Sequence, residues 1–270
     1  MQQITNNVYV ETGFRGCNCS FVVTGEGVVM IDTPMVGTEA IKWRDEIARH
    51  GQLRYLINSE PHMDHIAGNY YFGGTVVGHE GTRAAILDAK VDELKNMLKN
   101  LSPDNTTIME GFHFRPSTIT LSQRLTLYLG KHTFHLINMP GHSPYQVAIY
   151  VPEERVVFTS DNVTGGMPFF RQAIPDQWQE SLKRLQQLDV DTLVPGHGPV
   201  CDKSYIPKMS ATIQTWLDTV TTAINKGMSL EETQNSAAVK FAAPATDMLR
   251  TKEMLRMNVA ALYEKLKKNK

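Results

Sequence analysis

Long apolar runs are missing from this chain of 270 residues. No stretch of about 18 consecutive apolar residues occurs, which excludes a hydropathy-defined transmembrane helix. An excess of one charge is missing too: 27 Lys and Arg stand against 28 Asp and Glu, for a formal net charge of -1. That balance lacks the electrostatic footprint of a nucleic-acid binder. Cysteine is scarce, with three in the whole chain. Three cysteines build no disulfide framework and leave at least one thiol free, which fits a reducing compartment. The opening Met1-Gln2-Gln3-Ile4-Thr5 has neither a basic n-region nor an apolar h-region, so a cytoplasmic location is expected. Low-complexity segments and Pro/Gly-rich linkers are absent as well. What is present is an ordinary globular composition, 41% hydrophobic and 20% charged, with length enough for a buried core. Nine histidines stand out by where they fall.

Short apolar runs closed by turn residues recur at Gly27–Ile31, Leu53–Ile57, Thr75–Val77, Leu125–Leu129, Thr133–Ile137, Gln146–Val151, Arg155–Thr159 and Thr192–Val194. Their Val, Ile, Tyr and Phe content predicts strands, several buried on both faces. Helical patterns lie between them. Thr38–His50 sets Ile41, Ile47 and Ala48 on one side, and Gly81–Leu101 is rich in Ala, Leu and Lys. Asp176–Leu188 opens with Asp176 and Gln179 spaced as a capping box, followed by Trp178, Leu182, Leu185 and Leu188 at helical spacing. From Lys203 the strand signals stop. Ser204–Lys226 reads as one helix with Gly227 as its stop, Ser229 and Glu232 open another, and Leu255, Val259, Leu262 and Leu266 form the stripe of a last one. The chain is thus α/β: a domain over residues 1–202, with a helical C-terminal extension, 203–270, packed on it. That tail either covers the pocket or forms the face of a homo-oligomer.

Five predicted strands end in side chains that bind metals. Leu56-Ile57-Asn58 runs into Glu60-Pro61-His62-Met63-Asp64-His65, Leu136-Ile137-Asn138 into Pro140-Gly141-His142, and Leu193-Val194 into Pro195-Gly196-His197. Two more strands run into Asp32 and Asp161. In α/β folds, sites gather at the carboxyl ends of strands. One histidine after a strand is more often a turn residue or a satisfied core residue than a ligand. Four ligand-type side chains in the six residues 60–65 have no common structural purpose; their rival reading is a solvated charged turn. Taken together, the five ends point to a metal centre. Cys17-Asn18-Cys19 has no metal-site spacing and is read as buried small residues. His50, His79, His132 and His135 fit no ligand position.

In these motifs and their order the sequence resembles the metallo-β-lactamase superfamily, on its glyoxalase II-like branch, over roughly residues 4 to 200. The resemblance implies an αββα sandwich with a dinuclear site at one edge of its two sheets. It implies one metal on Glu60, His62 and His142, a second on Asp64, His65 and His197, and Asp161 bridging them. Asp32 then orients the ligand loop from behind. The cofactors implied are two divalent ions, zinc first, with iron or manganese as alternatives. The family usually has His where this chain has Glu60. A third carboxylate lowers the charge of the cluster and shifts its preference from zinc towards harder ions. Three readings of Glu60 stand: a ligand, a side chain turned away from a weak site, or an acid/base group beside one zinc.

Two metals about 3.5–4 Å apart activate a bridging hydroxide and polarise a substrate oxygen. The reading is a hydrolase of an ester, thioester, lactone or related bond, with Asp64 or Glu60 moving the proton and Tyr145 as an oxyanion donor. Its partner is a small, apolar or aromatic molecule, not a nucleic acid or a membrane. Phe112, Phe114, Phe169, Phe170 and Arg171 are the candidate pocket residues, and Arg115 or Arg171 the candidate partner for a carboxylate. Phe residues at loop bases also plug cores. A non-haem iron redox enzyme and a β-lactamase are the alternative functions. The tail lacks the basic cluster with which glyoxalase II holds glutathione.

Overall fold

Alternation along the strands divides the protein into layers. In β4 (Gly27–Ile31), Val28 and Met30 point to one core and Val29 and Ile31 to another, as a period of two requires. The same split recurs at Leu56 and Ile57 in β5 (Leu53–Asn58) and at Val76 and Val77 in β6 (Thr75–His79). With β1 (Gln2–Gln3), β2 (Val8–Glu11), β3 (Cys19–Thr24) and β7 (Ile119–Leu121) these form a seven-stranded sheet in chain order. It is antiparallel from β1 to β4 and parallel from β4 to β7. The computed structural model describes residues 1–236 and 248–268.

The second sheet holds β8 (Arg124–Leu129), β9 (His132–Asn138), β10 (Val147–Val151), β11 (Val156–Thr164) and β12 (Thr192–His197), ordered β12-β11-β10-β9-β8. Only β11 and β12 run parallel in it. They are joined through α5 (Pro175–Gln187), the crossover that a parallel pair needs. The two sheets share a core that includes Val29, Ile57, Phe134, Ile149 and Phe158. Outside the first sheet, α1 (Gly37–His50) packs Ala40, Trp43 and Ile47 onto Phe21, Met30 and Leu56. Outside the second, α5 packs with α6 (Tyr205–Asn225) and α8 (Met248–Lys268) around Trp178, Trp216 and Leu262. The layers are αββα, as expected. Among the described residues, no helix is long and apolar enough to cross a membrane.

Several local expectations change. The helix expected over 81–101 is two, α3 (Glu80–Asp88) and α4 (Val91–Leu101). The break lets α3 lie on β6 and β7 while α4 buries Leu94 and Leu98 with Met35, Val36 and Ala67. The capping box expected at Asp176 is not formed: Pro175 opens α5 and Ile174 is its N-cap, without a side-chain cap. Proline's fixed φ favours that first position. In α1 the buried stripe follows Trp43; Ala48 is exposed and Ile41 only half-buried. The Gly227 stop (φ +73°) and the Ser229–Glu232 capping box at α7 (Leu230–Asn235) are both present. The short strands β1, β2, β3 and β7 extend the predicted set.

Candidate metal centre

Asp32 follows β4 in the left-handed region, with φ +56°, a conformation Asp tolerates better than most residues. This turn aims its carboxylate at the end of β5, where Oδ1 accepts from Ser59 N at 2.7 Å and Oδ2 from Ser59 Oγ. Asp32 Oδ2 also accepts from His65 Nδ1 at 2.9 Å. Residues after β5 pass through Glu60 and His62 into the single turn α2 (Met63–Ile66), which carries Asp64 and His65. Thr33 N and Oγ1 hold the His65 carbonyl at 3.0 and 2.9 Å.

Asp161 is delivered differently. Its neighbour Ser160 has φ +50°, and the register of β11 against β12 shifts between Phe158 and Ser160. Such a bulge re-aims the residue that follows it. Gln146 holds the bulge. With its carboxamide oriented to satisfy both ends, its oxygen accepts from Asp161 N at 2.7 Å and Asn162 N at 2.9 Å. Asn162 in turn accepts from His142 N at 3.0 Å. A Cβ on Gly196 would sit 1.8 Å from Asp161 Oδ1, and one on Gly141 2.2 Å from Asn162 Oδ1. The glycine in each Pro-Gly-His segment makes room for these carboxylate and amide groups.

The expected side chains come together. Glu60, His62 and His142 form one group whose ligand atoms lie within 4.8 Å of one another, and Asp64, His65 and His197 form a second. Asp161 lies between them, with Oδ2 3.5 Å from His142 Nε2 and 3.3 Å from His197 Nε2, and Oδ1 3.4 Å from His65 Nε2. Glu60 points inward: its Oε1 is 3.0 Å from His62 Nδ1 and 3.0 Å from His65 Nε2, and its side chain is fully buried. It therefore faces both groups. Glu60 Oε2, His65 Nε2 and Asp161 Oδ1 are buried atoms without hydrogen-bond partners. Such orphans are costly, and their convergence fits a divalent cation better than a protein contact.

The outer nitrogens fix which inner nitrogens face the cluster. His65 Nδ1 donates to Asp32, His142 Nδ1 to the Phe169 carbonyl at 3.0 Å, and His62 Nε2 to Gln172 Oε1 at 3.0 Å. A neutral imidazole donating outward presents a lone pair inward, which is the ligating form. Without metal, the inward side attracts protons instead. Burial pulls the His62 pKa down, but Glu60, then Asp64 and Asp161, push it up to about 9. Burial raises Asp161, while His197 and His65 outweigh it and hold its carboxyl well below the usual carboxylate range.

A pH dependence follows. His62 binds its proton more tightly folded than unfolded, where its pKa is about 6.5. Its contribution to stability is fully present below that value and is lost as pH rises through about 9. The melting temperature of metal-free protein is expected to fall by several degrees from pH 6.5 to 9. Metal-loaded protein, its imidazoles neutral throughout, shows no such fall. A flat profile after chelation would mean that these carboxylates do not hold the histidines protonated.

Other expected site residues sit elsewhere. Tyr145 stacks on His79, ring centroids 5.2 Å apart, over Gly81. It lines a separate cleft of about 450 Å³ with Glu80, Gln177 and Arg184, and none of the seven converging side chains lines that cleft. Phe170 is fully buried against Trp178 and Trp216, a core plug rather than a pocket wall. Arg115 spends its guanidinium on the carbonyls of Phe72, Gly73 and Gly74. Phe112 and Phe114 are half-buried with Met63 beside α2, Phe169 is half-buried, and Arg171 is exposed. Cys17 and Cys19 are buried as expected, and Cys17 packs within reach of Asp32 and His65. Gln146, Asn162 and Gln172 carry no signal in the sequence that singles them out.

The profile of the Metallo-beta-lactamase superfamily matches residues 12–197. A Beta-lactamase-like protein 2 homolog from Caenorhabditis elegans is 26% identical over 191 residues, covering 70% of this chain and 58% of that protein. A Hydroxyacylglutathione hydrolase from Methylococcus capsulatus is 26% identical over 176 residues, covering 63% of this chain and 57% of that protein. The chain thus spans less than two thirds of the length of either relative. The crystal structure of a metallo-beta-lactamase family protein from Thermus thermophilus superposes with a TM-score of 0.72 at 16% identity, covering 99% of this chain and 95% of that one. That likeness is one of fold.

Proposed function

The chain belongs to the metallo-β-lactamase superfamily, and from that premise we propose that it is a hydrolase working with two divalent ions, zinc first. Glu60, His62 and His142 hold one ion, and Asp64, His65 and His197 the other, with Asp161 shared. The observation that carries this reading is the convergence of two ligand groups around three buried atoms that make no hydrogen bond. When bound, such a pair supplies a nucleophile at neutral pH and polarises the oxygen under attack.

The chain's own residues hold, orient and move protons. Asp32, the Phe169 carbonyl and Gln172 keep His65, His142 and His62 in the ligating form. Asp64 is the most exposed of the three carboxylates, at 20% against 10% for Asp161 and 0% for Glu60. It is therefore placed to accept a proton from the attacking water and pass it outward. Met63, Phe112 and Phe114, half-buried in one apolar cluster, and half-buried Phe169, whose carbonyl accepts from His142, are the apolar surface for the substrate. The bond cleaved is an ester, thioester, lactone or related acyl bond of a small apolar or aromatic molecule.

Elemental analysis of protein purified without added metal, followed by a panel of aryl esters, acyl thioesters, lactones and β-lactams, tests this. Two ions per chain are expected, with turnover lost on chelation and restored by zinc. Turnover that survives complete metal removal would overturn the proposal.

A further inference from the structure

Resting on the two-group reading above, we propose that the C-terminal helix α8 belongs to the metal centre and that its buried Asn258 is a positioning residue for the Glu60–His62–His142 group. The outer N–H groups of His142 and His62 find their acceptors, Phe169 O and Gln172 Oε1, on one short stretch of chain. That stretch, residues 168–173, lies in no strand or helix. Isolated loops of this kind wander unless something packs on them.

Here α8 packs on them. Asn258 Oδ1 accepts from Phe170 N at 3.1 Å, and Asn258 Nδ2 donates to Pro168 O at 2.7 Å. One carboxamide thus holds the backbone on both sides of Phe169. Lys265, two turns further along α8, donates to Ala173 O at 2.8 Å. Phe170 anchors the same stretch between Trp178 and Trp216. Asn258 is 1% exposed beside fully buried Val259 and Leu262. A core helix position of that kind favours an aliphatic side chain, and a buried amide is costly unless both its ends are paired. This amide is paired at both ends, and its partners are the loop that receives the two histidines.

The other group has separate support. His65 leans on Asp32, which is held at the ends of β4 and β5. Loosening α8 therefore acts on one ion and spares the other. The family profile ends at residue 197, so the clamp lies outside the matched part of the chain.

The test is zinc titration of the full chain against a chromophoric chelator, with near-UV circular dichroism as the folding control. Wild type is expected to bind two ions. Asn258→Leu weakens one of them about tenfold or more, the scale on which outer partners of metal ligands act. The other ion keeps its affinity, and Gln172→Ala weakens the same ion as Asn258→Leu. Two ions bound with wild-type affinity in Asn258→Leu would overturn the clamp and leave the two-ion reading standing. Equal weakening of both ions would also overturn it, because general loosening of the fold does that. Fewer than two ions on wild type would overturn the reading beneath it as well. If Asn258→Leu fails to fold, Lys265→Met decides: it removes only the tie to Ala173 and is expected to weaken the same ion by a smaller factor. An unchanged titration of that variant would sink the proposal.

Discussion

Replacing Asp161 with alanine is expected to lower kcat/KM by on the order of 10³-fold, about 4 kcal/mol of transition-state stabilisation. Asp161 reaches both groups: its two oxygens lie 3.3 to 3.5 Å from the inner nitrogens of His142, His197 and His65. Its Oδ1 has no other partner. The backbone that places it, the Ser160 bulge held by Gln146, is untouched by the substitution. The fold should therefore survive while the pair of ions does not. Asp161→Asn sharpens the point. It keeps the shape and the backbone contacts but removes the charge, so an effect close to that of alanine is expected. Circular dichroism, metal count and steady-state kinetics on the two variants read the outcome. Activity within tenfold of wild type in Asp161→Asn, with two ions bound, would rule out a shared carboxylate.

Asp161 also marks where sequence reasoning works and where it stops. Its position just past the predicted strand Arg155–Thr159 was legible, because strands and the turns after them leave local patterns. The same holds for the 60–65 loop and for both Pro-Gly-His segments. The bulge that aims Asp161 was not legible, because a left-handed serine leaves no mark in composition. The amides that hold the site were equally silent. Gln146 reaches Asp161, Gln172 reaches His62 and Asn258 reaches Phe170 across long sequence separations, and an Asn or Gln reads alike on a surface and in a core. Tyr145 shows the opposite error. Its place three residues past His142 suggested the site, yet the turn at Pro144 sends its ring to His79. Neighbours in sequence share a site only when the backbone between them does not reverse. Burial on both faces was readable in unbroken apolar runs such as Val28 to Ile31, which the fold divides between two cores, whereas the αββα layering rested on the family resemblance.

Glu60→Ala is expected to reduce the metal count from two to one, whereas Glu60→His keeps two and moves the pH–rate profile to lower pH. A fully buried carboxylate is expensive unless positive charge surrounds it. Glu60 meets only imidazole nitrogens, two of them at 3.0 Å from Oε1, while Oε2 has no hydrogen-bond partner. Cations between these groups supply the missing charge, and removing Glu60 strips the first group to two histidines. Histidine at position 60 restores a third ligand but changes the balance. Three carboxylates against two divalent ions leave one net positive charge; with two carboxylates the net is two. One more unit charge about 4 Å from the attacking water is worth at most about 4 kcal/mol at an effective dielectric constant of about 20. Solvent and ligand relaxation reduce this, so a downward shift of about one pH unit, roughly 1.4 kcal/mol, is expected in the rising limb of kcat/KM. The same substitution should turn metal preference further towards zinc, because imidazole is the softer donor. The rival role, in which Glu60 moves protons beside its neighbours without ligating, makes a different forecast. Under it Glu60→Ala leaves the wild-type metal count unchanged and loses only rate, and Glu60→His leaves metal preference unchanged. Counting ions per chain across the two variants, before any kinetics, separates a ligand from a base.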